Sequence, residues 1–211
     1  MKLYTYFRSS ASFRVRIALK LKGLAWEPAF VHLPKAEHKD AGYREKNPQG
    51  LVPALEDGDA VLTQSLAIIE YLDETHPEPP FLPSAPADRA RVRAMALIVA
   101  CDIHPLNNLQ VLRYLKDPLG HDQEAIDRWY RHWVSRGFEG LEELVRRHGS
   151  AHHCFGNRLS LADICLVPQM WNARRFKTDL SPFPNLVRID AHLSRLPAFA
   201  EAAPEVQPDA F

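Results

Sequence analysis

Arg8-Ser9-Ser10-Ala11-Ser12-Phe13-Arg14-Val15-Arg16-Ile17-Ala18-Leu19-Lys20-Leu21-Lys22 is the stretch on which the fold turns. From Arg14 onward, apolar residues at 15, 17, 19 and 21 alternate with charges, the pattern of a half-buried strand. The residue types argue the other way. Ala, Leu, Lys and Arg are strong helix formers, the serines from Ser9 to Ser12 offer N-caps, and Gly23 offers a stop. The stretch therefore predicts a helix that opens at the serines.

Working outward, Lys2–Phe7 and Trp26–Leu33 are short runs rich in Tyr, Phe, Val and Trp, which predicts a strand on each side of that helix. Further on, residues 51–56 and 60–63 flank Asp57-Gly58, a hairpin signal. Gln64-Ser65 then opens a helix that ends near His76-Pro77. The order β-α-β-loop-β-β-α describes a small sheet with helices packed on it. Pro77, Pro79, Pro80, Pro83 and Pro86 crowd the next segment too closely for a regular element, so it reads as a linker. Beyond it the chain reads helical. Arg89–Lys116 is long and should be kinked or interrupted by Pro105. From Asp122 to His148 apolar residues keep helical spacing, and Ser160-Leu161-Ala162-Asp163 is a capping box for another helix. The expected organisation is an α/β domain over residues 1–80 and an all-α domain over residues 87–211.

Composition narrows the function. Lys+Arg and Asp+Glu number 26 each, so the net charge is zero, which argues against a protein whose main task is neutralising phosphates. The longest strictly apolar run, Ala94–Cys101, is far short of the ~18 residues of a membrane span. The opening residues lack the apolar core of a signal peptide. Cys101, Cys154 and Cys165 form no Cys-x-x-Cys pair, so neither a disulfide framework nor a zinc site is indicated. A cytoplasmic, metal-free protein with no nucleic-acid or membrane partner is expected.

Three places could carry chemistry. The Arg8–Arg14 cluster lies where a strand hands over to a helix, and a helix N-terminus presents free N–H groups and positive potential to a thiolate or carboxylate. A plain serine cap is an equally good reading of those residues by themselves. Asn47-Pro48-Gln49-Gly50-Leu51-Val52-Pro53 leads into a strand; a cis Val52-Pro53 bond would expose the Val52 main chain, although only ~5% of X-Pro bonds are cis. Gln64-Ser65 marks a second helix start at which main-chain N–H groups could hold a carboxylate.

Taken in order and spacing, these segments resemble the thioredoxin-like domain of glutathione transferases, and the zeta class in particular. The matching text is Tyr6–Leu19, Asn47-Pro48 with Val52-Pro53, and Gln64–Leu72. The second half adds Asp102–Leu109, Leu161-Ala162-Asp163, Val167-Pro168-Gln169 and Ala173-Arg174-Arg175-Phe176, so the resemblance covers essentially the whole chain. It implies a thioredoxin-like N-terminal domain, a glutathione-transferase helical domain, glutathione as cofactor and a homodimer. Residue by residue, it implies that Ser9 donates to the glutathione sulfur, with Ser10 and Arg14 beside it. Val52, before a cis proline, would pair with the cysteinyl part, Gln64 and Ser65 would hold the γ-glutamyl end, and His38 would approach the glycyl end. His104 and Asn108, four apart and so expected on one helical face, would reach glutathione from the helical domain. Arg175, with Arg8 as a second cation, would bind a substrate carboxylate.

One departure stands out. The zeta signature Ser-Ser-Cys-Ser reads Ser9-Ser10-Ala11-Ser12 here, which places Ala11 at the substrate side of the site without a thiol. Cysteine-based reductase chemistry is thereby disfavoured, because it needs a nucleophilic Cys at the helix start. The activity implied is glutathione-dependent cis–trans isomerisation of maleylacetoacetate in tyrosine and phenylalanine breakdown, with Ser9 and Arg175 as catalytic residues. Maleylpyruvate is the alternative substrate, and conjugation of α-halo acids an alternative reaction. Asn108-Leu109-Gln110 leans toward the first, since the maleylpyruvate pattern tends to carry arginines there. A non-enzymatic assembly module is disfavoured by the complete set of Ser9, Val52, Gln64 and Ser65.

Overall fold

The deciding stretch is a helix: α1 spans Ser10–Leu21 in a computed structural model that describes residues 1–210. Its alternating pattern has a specific cause. Every residue from Ser10 to Leu19 is buried, Arg14 and Arg16 included. The alternation therefore records two kinds of interior contact, apolar packing and buried guanidinium groups, and not an inner and an outer face. Lys22, just past the helix, folds its ammonium onto Asp73 at 2.8 Å and the Pro79 carbonyl at 2.6 Å, and Gly23 turns the chain at φ +66°.

The chain divides into two units: Met1–Phe81 together with everything from Arg195 onward, and Leu82–Ser194. In the first, β1 (Lys2–Thr5), β2 (Glu27–Phe30), β3 (Ala54–Asp57) and β4 (Ala60–Thr63) form one sheet in the order β2-β1-β3-β4. β1 and β2 run parallel with α1 as their crossover; β3 lies antiparallel to β1 and to β4. Asp57 pairs with Ala60, so the hairpin turn is Gly58-Asp59, one residue later than the expected Asp57-Gly58, with Gly58 at φ +58°. The segment between β2 and β3 carries the short α2 (Ala41–Lys46), and α3 (Ser65–Thr75) packs against α1. This is the thioredoxin-like arrangement.

In the second unit α4 (Pro86–Leu97) begins on the proline that closes the linker, which suits a first helical position because no N–H is needed there. It runs into a π-helical turn, Ile98–Ile103, whose Ile103 occupies the place a side chain on Gly137 would fill. Pro105 follows, and α5 (Leu109–Lys116) starts afresh with Asn108 as its cap. The long helix is interrupted, as its proline requires, and this corrects one expectation: His104 and Asn108 do not share a helical face. His104 is helical at φ −60°, ψ −43°, whereas Asn108 is extended at φ −64°, ψ 146°. α6 (Gln123–His148) is capped by Asp122 and closed by Gly149. α7 (Leu161–Arg175) and α8 (Pro184–Leu193) complete the unit.

The C-terminal segment departs from the expected 87–211 helical domain. From Arg195 the chain returns to the first unit, where Phe199 of α9 (Pro197–Ala200) and Ala202 are buried. Three polar contacts tie it there: Arg16 Nε donates to the Ala202 carbonyl at 3.0 Å, the Phe7 N–H donates to Asp209 Oδ2 at 2.9 Å, and Lys20 Nζ pairs with Glu201 Oε2 at 2.7 Å. Among the described residues no helix is long and apolar enough to cross a membrane, and no three His, Cys, Asp or Glu side chains are grouped to hold a metal ion.

Candidate active site

β1 ends at Thr5, and four residues later Ser9 caps α1 in an extended conformation, φ −70°, ψ 113°. Its Oγ accepts the Ser12 N–H at 3.2 Å. The cap and the functional reading are compatible, because a hydroxyl that accepts one hydrogen bond keeps its own hydrogen to donate. Ser10 and Ala11 follow in the buried first turn, whose N–H groups lie at the positive end of the helix. Arg8 is exposed, with its guanidinium 4.9 Å from the Phe7 ring centroid.

The loop before β3 is built around Asn47. Its buried side chain accepts the Gln49 N–H at 3.1 Å and donates to the Leu51 carbonyl at 2.7 Å, while Gly50 N–H closes a turn onto the Asn47 carbonyl at 2.8 Å. The Val52-Pro53 bond is cis. Neither main-chain polar group of Val52 is engaged by another described residue. Gly50 sits at φ +62°, and a Cβ there would lie 2.8 Å from the His38 carbonyl oxygen. His38 belongs to a short 3-10 turn, Glu37–Lys39, which Gly50 thus brings against this loop. Gly50→Ala should destabilise the protein by ~1–3 kcal/mol through the left-handed backbone and that contact, read from the urea midpoint.

Tyr43 braces the same loop by donating to the Leu51 carbonyl at 2.5 Å. Burial pushes its hydroxyl up from 10.0 to about 12. The folded state therefore holds this proton more tightly than the unfolded chain. The stabilisation is complete below pH 10 and is lost as pH rises toward 12. Tyr43→Phe should cost ~1 kcal/mol at neutral pH and flatten that alkaline loss, read from urea midpoints measured across the window.

Gln64 precedes α3 at φ +68°, a conformation uncommon outside glycine, and its Nε2 donates to Gln49 Oε1 at 2.8 Å. Ser65 is buried at the first helical position, where its Oγ accepts from Arg14 Nη1 at 3.3 Å. Arg14 thus links the N-terminal turns of α1 and α3 and sets a buried cation beside the second of them. The partnership of Gln49 with Gln64 and the bracing by Tyr43 were not read from the sequence. The Asn47–Gly50 turn residues were its only local signal.

The remaining candidates lie in the second unit. His104 ends the π-helical turn, donating its N–H to the Val99 carbonyl at 2.9 Å. Asn108 caps α5 by accepting the Gln110 N–H at 3.0 Å. Between them, Asn107 donates to the Tyr130 carbonyl at 3.2 Å and Trp129 donates to the Leu106 carbonyl at 2.9 Å, so the segment is pinned to α6. Arg175 ends α7 with its guanidinium 5.0 Å from the Phe176 ring centroid. Phe176 stacks on Tyr130 at 3.6 Å, so Arg175 and the 104–108 segment are anchored at the same residue. Arg175 also lines a pocket of about 470 Å³ with Arg131, Lys177, Glu124, Asp127 and Phe176. Arg131 and Lys177 were not foreseen, since isolated basic residues in helical text carry no mark of a shared cavity.

The family described as "Glutathione S-transferase, N-terminal domain" matches residues 3–80. A Vibrio cholerae protein named "Probable maleylacetoacetate isomerase" is 55% identical over 210 residues, covering 99% of this chain and 97% of its own. The solved holo structure of a maleyl pyruvate isomerase, described as a bacterial zeta-class glutathione S-transferase, superposes with a TM-score of 0.98 at 48% identity and full coverage of both chains. The maleylacetoacetate isomerase of Methylobacterium extorquens AM1, solved with bound malonate and glutathione, gives a TM-score of 0.96 at 40% identity, also over all of both chains.

Proposed function

We propose, from the premise that the chain belongs to the zeta-class glutathione transferases, that it is a glutathione-dependent isomerase converting maleylacetoacetate to fumarylacetoacetate. The observation that carries this reading is Ser9, a capping hydroxyl with its hydrogen still to donate at the start of a buried helix, in a chain akin to such isomerases over its whole length. Bound glutathione supplies a thiolate whose reversible addition turns the substrate's double bond transiently into a freely rotating single bond, so the cofactor is regenerated.

The chain's own residues do the rest. A free thiol with a pKa of about 8.5 is mostly protonated at neutral pH. Ser9, donating to the sulfur from the positive end of α1, favours the anion and lowers that value. Ser10 lies in the same first turn. The fit to glutathione is supported by the unengaged main chain of Val52, which can exchange two hydrogen bonds with the cysteinyl unit. It is supported also by the first turn of α3, where Gln64, Ser65 and the Arg14 cation behind Ser65 suit the γ-glutamyl carboxylate. We assign His38 to the glycyl end, and His104 and the Asn108 amide to the contribution of the helical unit.

Addition to a conjugated diketo acid pushes negative charge onto an enol oxygen. Arg175, in a pocket with two further cations, Arg131 and Lys177, is suited to bind the substrate carboxylate and to stabilise that charge. Arg8 is the second cation assigned to substrate, and Ala11, lacking a thiol, leaves the reacting sulfur to glutathione. A homodimer in the cytoplasm is the form we propose, on the family resemblance.

Maleylpyruvate is the second reading, favoured by the likeness to the maleyl pyruvate isomerase structure. The test is a side-by-side rate comparison of the two maleyl acids with and without added glutathione. Faster turnover of maleylacetoacetate, only with the thiol present, is the expected result; turnover that ignores glutathione would sink the mechanism.

A further inference from the structure

The returning C-terminal segment meets the first unit at one particular place, the turn between β1 and Ser9. The Phe7 N–H donates to Asp209 Oδ2 at 2.9 Å, and the Phe7 carbonyl accepts from Arg16 Nη2 at 3.1 Å. Arg16 Nη1 donates to Thr5 Oγ1 at 3.2 Å and, more loosely, to the Tyr6 carbonyl at 3.5 Å. That same Tyr6 carbonyl accepts the Ser9 N–H at 3.0 Å. Both main-chain groups of Phe7 are thus held by Arg16 and Asp209, and Ser9 hangs from the residue before it.

Arg16 in turn is completed by the tail, since its Nε donates to the Ala202 carbonyl at 3.0 Å. It is only 1% exposed, and Asp209 is 8% exposed. A guanidinium so buried stays in place because its donors are matched by fixed acceptors and a carboxylate offsets its charge. Removing either partner leaves buried polar groups unmatched in the turn that sets where the Ser9 hydroxyl lies. A small displacement of that hydroxyl weakens a hydrogen bond that depends steeply on distance and angle.

We propose that the C-terminal tail is part of the active-site framework, with Arg16 and Asp209 acting as positioning residues for Ser9. This rests on the assignment of Ser9 as the residue that faces the glutathione thiol. Neither Arg16 nor Asp209 touches the ligand; both act through the main chain of Tyr6 and Phe7.

Asp209→Ala, Asp209→Asn and Arg16→Lys, made in the full-length chain, test this with two measurements. The first is hydrogen exchange at the Phe7 and Ser9 amides without ligand. The second is the pH titration of the bound glutathione thiol, followed by its ultraviolet absorbance. In Asp209→Ala, exchange at Phe7 and Ser9 should accelerate ~10-fold or more. The bound thiol should titrate ~1 unit closer to the free thiol. Asp209→Asn keeps an amide oxygen for the Phe7 N–H and should retain most of both properties. Arg16→Lys keeps the charge but loses the planar fork, and should shift the thiol as Asp209→Ala does; it also serves if Asp209→Ala does not fold. A lower melting temperature with unchanged exchange at both amides and an unshifted thiol would overturn the proposal and leave the tail a purely structural element. If the wild-type thiol titrates like free glutathione, it is the assignment of Ser9 that falls, and amide exchange alone then decides whether the tail holds the turn.

Discussion

Ser9→Ala should lower kcat for the isomerisation by ~10²-fold while changing glutathione affinity far less. The reasoning is differential binding. On the proposed assignment, tripeptide recognition is spread over Val52, the start of α3 and the groups assigned to its other end, so removing one hydroxyl should leave most of that affinity. In the proposed mechanism the hydroxyl's particular contribution is to the anion, so its loss should fall on the rate through the thiolate population. The same change removes the α1 cap, whose Oγ accepts the Ser12 N–H at 3.2 Å, at a further cost of ~1 kcal/mol in stability. Ser9→Thr keeps both the cap and the donor and should recover most of the rate. Calorimetric titration with glutathione, set beside steady-state rates, reads the split. Equal losses in kcat and in affinity would reduce Ser9 to a simple binding contact.

Asp163→Ala should be the most destabilising single substitution, at ~3–5 kcal/mol. The carboxylate is fully buried, accepting the Cys154 N–H at 2.7 Å, the Ser160 N–H at 2.8 Å and the Ser160 hydroxyl at 2.9 Å. Truncation leaves two main-chain N–H groups without acceptors in a site water does not reach, and it uncaps α7, the helix that ends in Arg175. Asp163→Asn retains one acceptor oxygen and should lose about half as much. Urea unfolding monitored by circular dichroism measures both. A loss below ~1 kcal/mol for the alanine variant would show that the helix start relaxes to find other partners.

The parts of the fold that were legible are those governed by neighbours in sequence. Serines before a helix-forming run, Asp57-Gly58 between two short apolar runs, and Ser160 with Asp163 each express a local rule, and each marks an element end to within a residue. Only the turn of the hairpin moved, to Gly58-Asp59. The candidate site was legible where it coincides with helix starts, at Ser9 and Ser65. It was less so at Val52, whose cis bond no local residue demands, and it went astray at His104 and Asn108. There a spacing of four implied one helical face, but Pro105 cannot donate to the helical ladder and Asn108 leaves it to begin another. Arg16 shows the limit most clearly. Its charge within an alternating run gave no sign of burial, and what holds it inside comes partly from the other end of the chain: the Ala202 carbonyl accepts from its Nε, and the Asp209 carboxylate offsets its charge. Pairings over such separations leave no periodic trace.

That last pairing bears on biosynthesis. A ribosome releases Ser9 early, yet the anchor for its turn is translated only after all of residues 82–194 have been. A nascent chain can therefore assemble its helical half before its sheet is fully braced, the reverse of the usual N-terminal-first order. A product stalled between Asn108 and Asp209 would carry every residue assigned to glutathione while lacking the clasp that holds the first of them in place.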